Sequence, residues 1–68
     1  MTTFLDYKAI LKCEKGTIEI TSYIDTDYGT KEEQEKEISS IEYWKEEKKH
    51  IDVENKYGDV LSVEIIWK

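Results

Sequence analysis

The stretch from Thr30 to Glu54, TKEEQEKEISSIEYWKEEKKHIDVE, settles the topology, because the chain on either side of it reads as strand while this stretch reads two ways. Its helical reading begins at Thr30-Lys31-Glu32-Glu33, a capping box in which the Thr30 hydroxyl accepts from the Glu33 amide and Glu33 reaches back. Acidic residues at 32, 33, 35 and 37 suit the positive end of the helix dipole, and lysines at 45, 48 and 49 suit the negative end. Glu32 and Lys36 are spaced for an i, i+4 pair, and Ile38, Ile41 and Trp44 fall on one helical stripe. The rival reading makes residues 38–45 a strand that turns at 46–48, with Tyr43 opposite Ile51 and Ile41 opposite Val53. The capping box favours the helix.

On the N-terminal side, the first 24 residues read as a hairpin. Leu5, Tyr7, Ala9, Leu11 and Cys13 alternate with Asp6, Lys8, Ile10 and Lys12, and Ile18, Ile20 and Ile24 alternate with Thr17, Glu19, Thr21 and Tyr23. A turn centred on Lys15-Gly16 sets Glu14 opposite Thr17, Leu11 opposite Ile20, Tyr7 opposite Ile24 and Lys12 opposite Glu19. A second hairpin is expected at the other end. Ile51 and Val53 face Val63 and Leu61 across a three-residue loop, Lys56-Tyr57-Gly58, whose glycine takes the left-handed position.

The expected architecture is therefore α+β: a single small ββαββ domain over residues 1–68, with one helix on one face of an antiparallel sheet. The alternative is an all-β five-stranded antiparallel meander. The predicted core is Leu5, Leu11, Ile18, Ile20, Ile24, Ile38, Ile41, Val53, Leu61, Val63 and Ile65, with Trp67 inward by alternation and Trp44 covering the sheet. Phe4, Ile10, Val60 and Ile66 fall on the outer face, which suggests dimerisation through that face or through an edge strand.

Composition excludes several functions. The chain carries 16 acidic residues and 10 basic ones, all lysine, for a net charge of −6, the wrong sign for gripping phosphates. No apolar run is long enough to span a membrane, and the opening residues lack the basic end and apolar run of a leader. One cysteine fits a reducing cytoplasm. One histidine, His50, and one cysteine, Cys13, do not make a zinc site; Cys13 reads as core filler and His50 as a solvated residue at an element's end. Three dispersed glycines build no phosphate loop. Asp25-Thr26-Asp27-Tyr28-Gly29 resembles the start of a calcium loop, but position 6 is Thr30 and position 12 is Lys36, so the match fails and Asp25 and Asp27 read as turn formers. No catalytic, metal or cofactor site is expected.

Charge is uneven. Residues 1–24 balance, whereas residues 25–50 hold nine acids against five lysines. Carboxylates among exposed tyrosines suit protein recognition, the charges steering a basic partner and the rings giving rigid contact area. The expected binding surface is Tyr23, Asp25, Asp27, Tyr28, Glu32, Glu33, Glu35, Glu37 and Tyr43. In style the chain resembles the small acidic single-domain inhibitors of phages and mobile elements, among them anti-CRISPR and other anti-defence proteins and the immunity proteins of toxic nucleases. The uneven charge, the absence of catalytic groups and the small size lead to the expectation of a stoichiometric inhibitor that docks on a basic protein, such as a nucleic-acid-processing enzyme, with a surface able to imitate the charge pattern of a nucleic-acid backbone. Two other functions are weighed beside it: a self-assembling structural or accessory protein, and a ligand-binding dimer using Lys8, Lys12 and Lys15.

Overall fold

In a computed structural model describing residues 3–68, the chain forms β1 (Phe4–Cys13), β2 (Gly16–Asp25), a 3-10 turn (Thr26–Tyr28), α1 (Lys31–Ile38), α2 (Ile41–Ile51) and β3 (Val60–Trp67). Met1 and Thr2, part of the stretch read for a leader, lie outside the described residues. The sheet has three antiparallel strands in the order β2-β1-β3. The α+β class and the one-sided helical cover hold, but neither ββαββ nor the five-stranded meander does.

The hairpin forms with its faces as expected and its register two residues away: Cys13 pairs with Gly16, Leu11 with Ile18, Ala9 with Ile20 and Leu5 with Ile24. A shift of two keeps every side chain on its own face. The connection is the two residues Glu14-Lys15, and its geometry is set from outside the hairpin. The Glu14 amide donates to the Asp59 carbonyl at 3.0 Å and the Lys15 amide to the Tyr57 carbonyl at 2.8 Å. Gly16 lies in the strand, with the Tyr57 ring so close that a Cβ would sit 2.8 Å from a ring carbon. Lys12 consequently faces Thr17, and it is Lys8 that reaches Glu19, at 3.6 Å on the exposed side.

The middle stretch is helical, and it breaks at Ser39-Ser40. Serine competes for backbone groups and favours helix ends. The Ser39 amide donates back to Glu35 and the Ser40 amide to Glu37, which closes α1. Trp44, buried, donates from its indole Nε1 to the Ile38 carbonyl left over at that end. Ile38 and Trp44 thus enter one core with Tyr7, Ala9, Leu11, Cys13, Ile24 and Val60, and Ile18, Ile20, Ile41, Val63, Ile65 and Trp67 pack at its margin.

The second hairpin is absent. Helix α2 runs on to Ile51, so residues 51–54 pair with no strand, and Val53 is 78% exposed. Strand β3 returns to β1 instead, pairing Tyr7 with Trp67, Ala9 with Ile65 and Leu11 with Val63. Between Lys12 and Cys13 the register shifts, and Cys13 meets Val60 rather than Leu61. That single extra residue reverses the alternation: Val60, expected outside, is in the core, and Leu61, expected inside, is 60% exposed. Phe4 and Ile66 do lie exposed on the outer face.

Leu11→Ala is expected to cost about 2–5 kcal/mol, because its side chain is wholly enclosed, whereas Val53→Thr and Leu61→Thr should each stay within about 0.5 kcal/mol. Chemical denaturation of the three variants measures the contrast.

Candidate protein-binding surface

The acidic segment is a built structure rather than a loose run. Strand β2 ends at Asp25, whose carboxylate accepts from the Asp27 amide at 2.9 Å and caps the 3-10 turn. The Thr26 amide and hydroxyl both donate to the Thr3 carbonyl at 3.1 Å, tying the turn to the start of β1. Gly29 comes next at φ 154° and ψ 168°, a conformation open to glycine and strained for other residues. Thr30 then caps α1, its hydroxyl accepting from the Glu33 amide at 3.2 Å. From inside the bend, Gln34 Nε2 donates to the carbonyls of Asp25 (2.8 Å) and Gly29 (2.9 Å).

This scaffold holds up Tyr28, 85% exposed, with Asp27 exposed before it in the turn and Glu32 and Glu33 exposed in the first turn of α1. Glu37 is exposed farther along α1. Three of the expected surface residues lie elsewhere. Glu35 turns inward and accepts from the Trp67 indole Nε1, while Lys31 Nζ stands 4.7 Å over the same ring. Tyr43 is half-buried, edge-on to Trp44 at 5.0 Å; burial first, then the Glu47 carboxylate, pushes its phenol pKa upward. Tyr23 is exposed but on the outer sheet face, edge-on to Phe4 at 5.3 Å. Of the expected set, Asp27, Tyr28, Glu32, Glu33 and Glu37 are exposed on the turn and first helix, and Asp25 at the end of β2 is half-buried.

Sequence reading missed a second polar cluster at the opposite end of α2. Lys48 is buried, its ammonium 3.0 Å from Asp52 Oδ2 and 2.8 Å from Asn55 Oδ1. Asp52 also accepts from the amides of Lys56 and Tyr57, each at 2.9 Å. The Tyr57 amide is the chief cause, joined by the Lys56 amide and the Lys48 ammonium, of an Asp52 pKa lowered from 3.8 to about 2 despite the opposing effect of burial. The i, i+4 spacing of Lys48 and Asp52 was the available signal. Nearby, burial pushes the Cys13 thiol pKa up, which disfavours the reactive thiolate, and His50 is exposed in the last turn of α2. Among the described residues no group of three His, Cys, Asp or Glu is placed to hold a metal ion, and no helix is long and apolar enough to cross a membrane.

Compared with family models, with curated proteins and with solved structures, the chain matches none of them.

Because Asp52 is held at about 2 when folded and 3.8 is its ordinary value, the unfolded chain binds more protons between those pH values. Its contribution to stability is complete above that window and is lost as pH falls through it. Melting curves from pH 7 to pH 2 should show this loss, and Asp52→Asn should lower the melting temperature at pH 7 and shrink the acid-side drop.

Proposed function

We propose that this protein is a non-catalytic cytoplasmic binding module that presents its acidic turn-and-helix end to a basic site on another protein, as a stoichiometric inhibitor would. The observation that carries this reading is Tyr28. It is an almost fully exposed ring on a turn fixed by two side-chain caps and by Gln34, with carboxylates beside it. An aromatic anchor already held in place loses little freedom on binding, and neighbouring carboxylates hasten encounter with positive charge. A nucleic-acid-processing enzyme, whose groove is basic by necessity, is the class of target that fits; direct contact with nucleic acid does not, given the net charge of −6.

The test is affinity capture from the lysate of the native cell at low and then high salt, followed by kinetics on the recovered partner. Glu32→Gln, Glu33→Gln and Glu37→Gln together, with Glu35 left on Trp67, should slow association about tenfold and flatten its salt dependence. Tyr28→Ala should speed dissociation and cost more than about 1 kcal/mol of affinity. Binding that ignores both changes would refute the proposal.

A further inference from the structure

The sheet has two free edges, and the fold treats them differently. Strand β3 carries the irregularity at Leu61, and its far end is flanked by α1 through Trp67, Glu35 and Lys31. Strand β2 is flanked at its start, where Tyr57 stands on Gly16 and the 51–57 segment borders a groove with Thr17, Ile18 and Glu19, but its pairing carries no irregularity. It is ten residues long, pairs with β1 without a register shift, and contains neither proline nor lysine. Bulges, charges and prolines are the usual guards of an edge, and an edge without them is a template for another strand.

The direction of its free backbone groups is set by the pairing. The Thr26 amide bonds the Thr3 carbonyl in line with the hairpin register. Hydrogen-bonded pairs alternate along an antiparallel ladder, so even-numbered residues of β2 bond β1. The N–H and C=O groups of Thr17, Glu19, Thr21 and Tyr23 therefore point off the sheet. The core is also open along this side: Ile18 and Ile20 are only half-buried, while Ala9 and Leu11 opposite them on β1 are fully enclosed.

We propose that this edge pairs with the same edge of a second copy, antiparallel, joining two three-stranded sheets into one of six strands. Three observations favour a copy as the occupant. An antiparallel edge is complementary to itself under a two-fold axis. Residues 17–24 carry one charge, Glu19, so two chains of net charge −6 meet here with little local repulsion. The register is also selected. With the axis at Ile20, Thr17 faces Tyr23 of the copy and Glu19 faces Thr21, and all four free residues are used in about eight interchain bonds. Ile20 meets its own equivalent on the core side, where non-hydrogen-bonded pairs bring side chains closest. Moving the axis to Glu19 would oppose two carboxylates, and moving it to Thr21 would call on the Asp25 carbonyl, which Gln34 already occupies. A single-strand edge buries little area, so the dimer is a weak one.

Sedimentation equilibrium from micromolar to millimolar protein, with residue-resolved amide exchange at both extremes, tests this. Mass should rise to that of two chains, and the amides of Thr17, Glu19, Thr21 and Tyr23 should become protected only at high concentration, while those of Ile18, Ile20 and Ser22 are protected throughout. Thr21→Glu sets a carboxylate against Glu19 of the copy at two symmetric places and should weaken the dimer about fivefold to tenfold. Thr21→Lys should tighten it, and Thr17→Glu, facing Tyr23, should move it far less. A single-chain mass at all concentrations, or a dimer in which the amides of Thr17, Glu19, Thr21 and Tyr23 stay unprotected, would overturn the proposal. Neither result depends on whether a basic partner exists.

Discussion

The fold turns on Asp52. Its carboxylate receives the Lys48 ammonium from the last turn of α2 and the amides of Lys56 and Tyr57 from the loop beyond, so one side chain both ends a helix and shapes the loop after it. That loop is the part that holds the β1–β2 turn, through the Glu14 and Lys15 amides, through the Glu14 carboxylate accepting from the Asp59 amide at 2.9 Å, and through the Tyr57 ring over Gly16. It also delivers β3 alongside β1. A buried ion pair is a weak source of net stability, since dehydrating two charges offsets their attraction. Here the pair, with Asn55, satisfies every side-chain group it buries, and what it secures is geometry.

The same cluster explains why part of the fold was readable in the sequence and part was not. The hairpin was readable because period-two alternation fixes which face each residue takes, even when the turn moves by two. The cap at Thr30 was readable because it is local. Ile51 and Val53 alternate with Asp52 and Glu54 as a strand would, yet Asp52 one helical turn beyond Lys48 binds this segment to α2. Leu61 misled for a related reason: one unpaired residue inverts alternation, and whether a residue is unpaired depends on the partner strand. The acidic surface was legible as composition and only partly as geometry. Glu35 is claimed by Trp67, from the other end of the chain, and no spacing within residues 25–37 reveals that.

Charge and shape divide the molecule. The carboxylates gather at the turn and first helix, where backbone caps keep them in place and water screens them. The sheet margin along β2 is almost neutral and half-apolar. A surface built this way keeps like molecules apart at one end and lets them approach at another, so solution behaviour depends on ionic strength and concentration separately.

The central strand precedes both of its neighbours in the chain and is complete only when each has paired with it. The backbone of β1 serves β2 with its odd-numbered residues and β3 with its even-numbered ones, and Tyr7 waits for Trp67. The first pairing closes across two residues and the second spans most of the chain, so docking β3 costs more chain entropy than closing the hairpin. Until β3 docks, one side of β1 is an open ladder. Lys8 and Lys12 stand on the strand during that time. Neither enters the core, and their charge discourages unwanted strands from pairing with β1 before β3 arrives.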